Sequence, residues 1–360
     1  MRFCYAMIGL TYGLMAQAPQ PEGDAIRAIL LDRVTAKKDV GLIVGVVDAN
    51  NQRQIVGVGR SRKDEPQAPA SDTLFEIGSI TKVFTSLVLA DMIERGEVKP
   101  DDPVEKYLPD GVKVPSRNGK QITLLDISLQ SSGLPRLPDN FHITDLANPY
   151  ADYDAPRLYD FLAHYSLPRD PGEKYEYSNL AVGLLGHALA RRAGMSYEEM
   201  VKRRVLIPLE MTNTSITLSA SQRQRLAQGH NAVLNPVKNW DLGVLEGAGA
   251  LRSTANDMLK FIAAAAGITE NPLAPAFRRM LSVRKDTGIP DLQVAMAWHI
   301  LSKNGPQIVW HNGGTGGYRS FTGYNVATKE AVVVLGNTAV ENDSIGLHVL
   351  DGKYPIGPEH

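Results

Sequence analysis

The sequence is poor in cysteine and almost without net charge. Among its 360 residues the single cysteine is Cys4, and 38 basic residues nearly balance 39 acidic ones, which gives a formal net charge of −1. This balance offers no broad electrostatic surface to a polyanion, so nucleic acid is not an expected partner. The hydrophobic content of 43 % is ordinary for a globular protein, and the length suffices for one large domain or two smaller ones.

Several catalytic signatures are also missing. The G-x-S-x-G turn of the α/β-hydrolases is absent, which excludes that arrangement of a serine nucleophile. There is no H-E-x-x-H or other close His/Cys spacing that would indicate zinc. G-x-G-x-x-G and G-x-x-x-x-G-K-[ST] are both absent, so nucleotide chemistry has no support. We therefore expect neither a metal nor another cofactor.

The N-terminal segment has one early arginine and then a mostly apolar stretch from Phe3 to Ala16. This pattern is typical of a signal peptide, here about residues 1–18, and the stretch is too short to span a bilayer securely. Cleavage there would remove Cys4 and leave a mature chain with neither a disulfide nor a thiol nucleophile. We expect a periplasmic or secreted protein; the alternative for this segment is a frayed helix.

Hydrophobic periodicity divides the rest of the chain into helices and strands. The segment 23–38 is predicted to be helical, and GLIVGVVDA and RQIVGVG are predicted to form a hairpin that turns at Asn50-Asn51. Ser253 and Thr254 are candidate N-caps of a helix that extends to about Ala265. Further helices are predicted at about 123–130, 155–165, 178–193 and 196–204, and strands in VAMAWHIL, QIVWH, YRSFTGYNV and AVVVLGN.

These elements predict an α/β (α+β) fold, in which an antiparallel sheet is flanked by helices and a mainly helical domain is inserted. Tight turns favour antiparallel pairing of the C-terminal strands, and strands at both ends of the chain suggest one mixed sheet. We expect the sheet domain at about residues 19–100 and 236–360, and the helical domain at about 101–235. The cleft between them is the expected place for a small-molecule site.

The first candidate catalytic residues lie in FEIGSITKVF, where an amphipathic helix begins. Ser79 and Lys82 are three residues apart and therefore lie on one face of that helix. Serine is a weak nucleophile without a base, and lysine acts as that base only when its pKa is lowered. The alternative is a pair of solvated residues at a helix start. Ser282 and Lys285 repeat the spacing in a charged stretch and provide an internal control.

A second pattern, YEYSNLAVGLL, places Tyr177 and Asn179 just before a helix. A tyrosine near a lysine ammonium can have a lowered pKa and move protons, and the asparagine amide can hold Lys82 or a substrate carbonyl. The alternative is that Tyr177 is a core aromatic residue and that Asn179 caps the helix.

The third pattern is VWHNGGTGGYRSF, in which His311 ends a short strand and Asn312, Gly313 and Gly314 follow. Glycine lets the backbone of another molecule approach the strand edge closely, and the free N–H groups of an edge are what an oxyanion hole requires. The alternative is a glycine-rich turn with an incidental histidine.

Taken in this order, the three patterns resemble the signature of the serine β-lactamase and penicillin-binding protein superfamily, whose first element is S-x-x-K. Tyr177-Ser178-Asn179 is similar to the Tyr-x-Asn element of class C β-lactamases, D-alanyl-D-alanine carboxypeptidases and related esterases. GEVKPDDPVEKYLP, SSGLP and GAGALRSTANDMLKF are also similar to segments of this family. The resemblance therefore covers nearly the whole chain after about residue 25.

The resemblance implies a β-lactamase/transpeptidase-like fold and a serine acyl hydrolase. Ser79 would be the acylated nucleophile and Lys82 its proton acceptor. Tyr177 would relay protons to the leaving group and activate the water that hydrolyses the acyl-enzyme. We expect the substrate to be a small molecule, namely a β-lactam, a D-amino-acid peptide or an ester.

The resemblance also implies which residues bind the substrate. Asn179 would orient Lys82 and the substrate amide, and the backbone N–H groups of Ser79 and Gly314 would form the oxyanion hole. The implied substrate-binding residues are Asn179, His311, Asn312, Gly313 and Gly314.

One position departs from the class C pattern, because His311 stands where those enzymes usually have lysine. A neutral imidazole binds a carboxylate less firmly than an ammonium does, so the departure bears on β-lactam hydrolysis but not on acyl transfer. We expect a class C-like β-lactamase or a D-Ala-D-Ala carboxypeptidase. The alternatives are a carboxylesterase, a D-aminopeptidase, or a penicillin- or peptidoglycan-binding protein without turnover.

Overall fold

The computed structural model describes residues 23–303 and 305–357. The segment 1–18, for which we expect a signal peptide, lies outside these residues together with Cys4. Among the described residues, no helix is both long enough and apolar enough to cross a bilayer.

Helices cover both faces of a sheet and are the main regular elements in the middle of the chain. The α-helices are α1 (Gly23–Thr35), α2 (Thr81–Glu94), α3 (Leu124–Ser128), α4 (Ala155–His164), α5 (Asn179–Ala193), α6 (Tyr197–Val201), α7 (Ala220–Gln224), α8 (Ala255–Ala265), α9 (Ala274–Met280) and α10 (Asp343–Leu350). Short 3₁₀-helices occupy Gly78–Ile80, Val104–Tyr107 and Gly243–Ala248, and a π-helical turn at Lys202–Leu206 continues α6. The predicted helices are confirmed, each within a few residues of its expected ends.

Strands from both ends of the chain form one large sheet. The strands are β1 (Gly41–Val47), β2 (Arg53–Gly59), β3 (Phe75–Glu76), β4 (Ser116–Arg117), β5 (Lys120–Gln121), β6 (Arg252–Ser253), β7 (Lys285–Asp286), β8 (Leu292–Val294), β9 (His299–Leu301), β10 (Ile308–Gly314), β11 (Arg319–Asn325) and β12 (Ala331–Gly336). The order in the sheet is β2-β1-β12-β11-β10-β9-β8-β7, and β3–β6 and β4–β5 are separate pairs.

Each neighbouring pair in the large sheet is antiparallel. The predicted antiparallel sheet is therefore confirmed, and the expectation of a mixed sheet is wrong. β12 lies between β1 and β11, where Leu42 of β1 is opposite Gly336 of β12. β12 therefore joins the N-terminal hairpin to the C-terminal strands.

Both faces of the central strands are buried, which explains their nearly continuous apolar sequences. In β1, Leu42 and Val44 face α1 and α10, where Ile26 and Ile345 belong to the same apolar cluster. Ile43 belongs to the other cluster, which also includes α2 and α8. α8 packs directly against this face of the sheet, and Phe84 of the helix that begins beside Ser79 stacks on Phe261 of α8.

The helical part of the chain is centred on α5. Ser178 is its N-cap, since the Ser178 hydroxyl accepts a hydrogen bond from the backbone N–H of Ala181. Gly194 ends the helix in the left-handed conformation, with φ of 69°. Thr254 likewise caps α8 by accepting from the N–H of Asp257, which confirms one of the two predicted caps. α5 packs against α2, the helix that follows Ser79.

One predicted strand is broken. VAMAWHIL is not continuous, because β8 ends at Val294 and β9 begins at His299. Ala297, between them, has φ of 65°, and the turn is closed by a hydrogen bond from Ala295 N–H to the Trp298 carbonyl. A residue with positive φ cannot continue a strand, so the apolar run forms a hairpin instead.

Candidate active site

The nucleophile candidate lies at a tight turn into α2. Gly78–Ile80 forms one turn of 3₁₀-helix, and Gly78 has φ of 49°, a conformation that favours glycine. Lys82 follows one turn later and is completely buried. Its Nζ lies 2.9 Å from Ser79 Oγ and 2.6 Å from the carbonyl oxygen of Ala248. The structure therefore brings the two residues of the S-x-x-K pattern into direct contact.

The surroundings of Lys82 disfavour a positive charge on its amine. Burial lowers the pKa of Lys82 well below its usual value, and the positive charge of Arg136 lowers it further. Its hydrogen bonds go to a hydroxyl and a carbonyl, so no carboxylate offsets the cost of burial. A neutral amine in contact with the Ser79 hydroxyl can accept its proton.

The second S-x-x-K match has none of these features. Ser282 is exposed and donates a hydrogen bond to the Arg279 carbonyl. Lys285 lies on β7, where its side chain bonds to the carbonyl of Gly172. The S-x-x-K spacing is therefore not sufficient to bring the two side chains together. What distinguishes the first match is that its lysine is buried in contact with its serine.

Tyr177 lies between Lys82 and the cleft. The centroid of its ring is 4.9 Å from Lys82 Nζ, and its hydroxyl is close enough to Ser79 for that residue to affect its pKa. Burial raises the pKa of Tyr177, while the interaction with Ser79 and the charge of Arg136 lower it by less. The expected lowering of the Tyr177 pKa is therefore wrong. A protonated Tyr177 can donate a proton at neutral pH, and the group beside Ser79 that can accept one is Lys82.

Asn179 is the first residue of α5 and lines the same cleft. Its amide nitrogen donates to the Tyr150 hydroxyl at 3.3 Å. The helix cap is Ser178, so the alternative that Asn179 is only a cap is wrong. The hydrogen bonds of Lys82 go to Ser79 and Ala248, so Asn179 does not orient Lys82 in this structure, contrary to expectation.

β10 leaves an open edge beside the nucleophile. Its pairing with β9 ends at Trp310–His299, whereas its pairing with β11 continues to Gly314–Arg319. Residues 311–314 therefore extend past β9 along the side of the strand that faces the cleft. An open strand edge can hydrogen-bond an extended substrate. Gly313 and Gly314 line the same cleft as Asn179.

Gly313 permits β10 to approach the nucleophile turn. A Cβ atom on Gly313 would lie 2.0 Å from the carbonyl oxygen of Ile77 and 2.5 Å from Ser320 Oγ. Ser320 Oγ in turn donates to the Ile77 carbonyl at 2.8 Å. The strand edge and the turn that carries Ser79 are thus in backbone contact, and both Ser79 and Gly314 line the cleft.

His311 is buried beneath the cleft rather than exposed in it. Its side chain is 1 % exposed and stacks on His299, with ring centroids 5.1 Å apart. Burial and, next, the neighbouring His299 and Lys82 lower the pKa of His311 well below its usual value. Its Nδ1 hydrogen-bonds with the Asn312 carbonyl, and its Nε2 has no partner among the described residues. A neutral, buried imidazole does not supply a cation for a substrate carboxylate.

Asn312 has a structural contact. Its side-chain amide donates to the carboxylate of Asp343 at the start of α10, on the other face of the sheet from His311. Successive residues of a strand point to opposite faces. The side chain of Asn312 therefore holds α10, and only its position on β10 brings it to the cleft.

The cleft has a volume of about 500 Å³, and several of its residues were not predicted from the sequence. The additional lining residues are Arg136, Tyr150, Tyr175, Trp240, His299, Thr315, Arg319 and Glu341. A larger cavity of about 890 Å³ lies around α6 and contains none of the residues discussed above. Within the described residues, no cluster of His, Cys, Asp and Glu side chains could hold a metal ion. The sequence signal for Arg136 was its place directly after the SSGLP segment.

Comparison with known proteins agrees with this geometry. The family model described as Beta-lactamase matches residues 26–348, which include every element of the large sheet. The chain belongs to the Beta-lactamase family. A curated member with related sequence is the D-alanyl-D-alanine-carboxypeptidase/endopeptidase AmpH of Escherichia coli (strain K12), 32% identical over 224 residues. That alignment covers 62% of this chain and 56% of AmpH, so the chain spans little more than half of that relative.

Other relatives carry β-lactamase names. A protein named Beta-lactamase from Escherichia coli (strain K12) is 26% identical over 289 residues, which cover 79% of this chain and 72% of that protein. Among solved structures, the class C β-lactamase from Rhodobacter sphaeroides superimposes with a TM-score of 0.79 at 25% identity. The superposition covers 92% of this chain and 99% of the Rhodobacter sphaeroides chain. The β-lactamase/transpeptidase-like fold is therefore confirmed.

Proposed function

We propose that the protein is a serine acyl hydrolase of the β-lactamase or D-Ala-D-Ala carboxypeptidase type, with an acyl-enzyme on Ser79. The observation that carries the proposal is the contact of 2.9 Å between Ser79 Oγ and the amine of a fully buried lysine. Such an amine has no favourable role in packing, since a buried charge is costly and a buried polar group needs partners. It has a direct role as the base for Ser79.

In the first half-reaction, Ser79 Oγ attacks the substrate carbonyl while Lys82 Nζ takes the hydroxyl proton. The carbonyl oxygen becomes an oxyanion, and the backbone N–H groups of Ser79 and Gly314 donate to it. The carbon–nitrogen bond then breaks, and the amine leaving group receives a proton. Tyr177 can deliver that proton, because its raised pKa keeps the hydroxyl protonated and it lines the cleft together with Ser79. Lys82 restores the proton to Tyr177.

In the second half-reaction, water attacks the ester carbon of the acyl-enzyme. The Lys82–Tyr177 pair accepts the water proton, the bond from the carbonyl carbon to Ser79 Oγ breaks, and Ser79 regains its proton. The same pair thus acts as acid and then as base, as microscopic reversibility requires. No cofactor enters either step.

A second candidate is a β-lactamase-like carboxylesterase. The buried, neutral His311 favours it, since a lysine at that position would offer a charge to the carboxylate of penicillins or of D-Ala-D-Ala. A D-aminopeptidase or a binding protein without turnover would keep the same fold, but the buried Lys82 beside Ser79 favours turnover. We further propose a periplasmic or secreted location, which N-terminal sequencing of the mature protein would test.

The test is a side-by-side assay of nitrocefin, a D-Ala-D-Ala peptide and p-nitrophenyl acetate, with intact-mass spectrometry of the protein after each substrate. Hydrolysis of nitrocefin or the peptide, with a transient adduct on Ser79, supports the proposal. Hydrolysis of the ester alone supports the carboxylesterase. A long-lived penicillin adduct means a binding protein, and activity that persists in Ser79→Ala overturns all of these.

A further inference from the structure

Arg136 is fixed in the wall of the cleft by its backbone. Its carbonyl oxygen accepts hydrogen bonds from the N–H groups of Asn179 and Leu180, at 3.1 and 3.3 Å. These are the first two residues of α5, so Arg136 keeps its place relative to Tyr177 and Asn179. The side chain extends from this anchor into the cleft that also contains Ser79.

The guanidinium of Arg136 has no acidic partner. Its Cζ lies 5.1 Å from the centroid of the Tyr177 ring, and among the described residues it forms no ion pair and no side-chain hydrogen bond. Other arginines nearby are engaged: Arg169 pairs with Glu176. Stacking on the ring orients the guanidinium while its N–H donors remain exposed to the cleft.

Other cations around the cleft are less available to an anionic ligand than Arg136. Lys82 is completely buried, and His311 is 1 % exposed. Arg319 lines the cleft beside Gly314, but it is less exposed than Arg136, and its Nη1 donates to the carbonyls of Thr315 and Tyr318, each at 2.9 Å. Glu341 lines the same side as Arg319 and would repel a carboxylate there. The charges of the cleft therefore favour an anion on the wall formed by Arg136.

We propose that Arg136 determines specificity by binding a free carboxylate on the acyl part of the substrate, the part that lies against Tyr177 and Asn179. This inference rests on the proposed acyl-enzyme at Ser79. Guanidinium and carboxylate groups match in two parallel N–H···O bonds, which gives both orientation and affinity. Arg136 thus supplies the cation that His311 does not, from the opposite wall. The preferred substrates are acyl donors that carry a carboxylate on the acyl group.

The test compares two matched esters, mono-p-nitrophenyl adipate and p-nitrophenyl adipamate, which differ only by a carboxylate and a neutral amide. Wild type should prefer the adipate, and Arg136→Gln should reduce the kcat/KM ratio of adipate to adipamate about ten-fold. Arg136→Lys should keep part of the preference, because the charge remains without the fork geometry. The ratio cancels any effect of Arg136 on Lys82, which is common to both esters.

The control is Arg27→Gln, which makes the same change of charge at an exposed position of α1 outside the cleft. It should leave the ratio as in wild type. An unchanged ratio in correctly folded Arg136→Gln overturns the role of Arg136, as does an equal loss in Arg27→Gln.

A binding measurement separates this inference from the proposed function. In Ser79→Ala, calorimetry gives the Kd of monomethyl adipate, and adding Arg136→Gln should raise that Kd about ten-fold. An equal Kd in both proteins overturns the carboxylate site even if Ser79 is the nucleophile. Ester hydrolysis that survives in Ser79→Ala overturns the proposed function, while a ten-fold change of Kd still supports the site.

Discussion

A Cβ atom on Gly78 would lie 2.6 Å from the backbone nitrogen of Gly314, so the residue before the nucleophile is in backbone contact with the strand edge. Neither residue has a side chain that could rearrange to relieve or loosen this contact. The two backbone donors proposed for the oxyanion hole therefore belong to two segments that are fixed directly against each other. Donors held in this way need no reorganisation when negative charge develops on the substrate.

The contact predicts that alanine substitutions at two neighbouring glycines destabilise the protein to different extents. Gly313→Ala would place Cβ 2.0 Å from the Ile77 carbonyl oxygen, which cannot move without shifting the nucleophile turn. We expect this variant to lose about 1–3 kcal/mol of unfolding free energy and most of its activity. In Gly314→Ala the atom nearest to the new Cβ is Nη1 of Arg319, 2.8 Å away at the end of a flexible side chain. The loss of unfolding free energy should therefore be far smaller than in Gly313→Ala. Thermal unfolding of both variants gives the comparison, and equal destabilisation would contradict it.

The two S-x-x-K segments predict a matched pair of serine variants. Ser79→Ala should form no covalent adduct with a β-lactam. Ser282→Ala should react like wild type, because Ser282 is exposed and its hydroxyl donates to the Arg279 carbonyl. Intact-mass spectrometry after incubation measures the adduct directly. An adduct of full size on Ser79→Ala would mean that another residue is acylated.

Lys82 predicts the pH dependence of acylation. Since its pKa is lowered in the folded protein, the amine is a base at neutral pH and becomes protonated only as the pH falls through that lowered value. We expect kcat/KM to fall along an acidic limb, and Lys82→Met to lose about 10²- to 10⁴-fold in activity. Removal of the Arg136 charge should move the limb to higher pH, because that charge lowers the Lys82 pKa. A limb at the same pH in Arg136→Gln would argue against Lys82 as the titrating base.

His299 predicts a loss of stability in acid. Burial lowers its pKa from 6.5 to about 4, so between these values the unfolded chain binds a proton that the folded protein does not. This stabilising contribution is complete above pH 6.5 and is lost as the pH falls towards 4, by up to about 3 kcal/mol. His299→Phe should flatten the dependence of unfolding free energy on pH in that window. Exposed His142, changed to Gln, is the control; the same slope in wild type and His299→Phe would exclude the effect.

Local sequence patterns predicted most helices and strands, because their signals lie within a few residues. The hairpin of β1 and β2 and the start of α2 follow from periodicity and turn residues. The break at Ala297 could not be predicted in this way, since a left-handed alanine is imposed by the surrounding structure. Likewise, the order of the sheet depends on contacts between distant segments.

For the site, the three motifs located Ser79 and the residues around it but not the other wall of the cleft. Arg136 lies in a loop, where no periodicity indicates which side chains face a ligand. The alternation of β10 does place His311 and Asn312 on opposite faces, but the sequence does not say which face is buried. Whether the pKa of Tyr177 or of His311 is raised or lowered depends on how deeply each side chain is buried, which only the structure shows.

The place of β12 between β1 and β11 has a consequence for the order in which a growing chain acquires its site. The nucleophile turn and α2 are made early, but the edge that faces them is made more than half a chain length later. Until β12 is complete, β1 has no partner on the edge opposite β2, and the N-terminal hairpin cannot be joined to β10. Pairing between strands so far apart in sequence is slow, and one edge of β1 stays unpaired until it occurs. A nascent chain thus carries its serine and lysine through most of its synthesis without a working cleft around them.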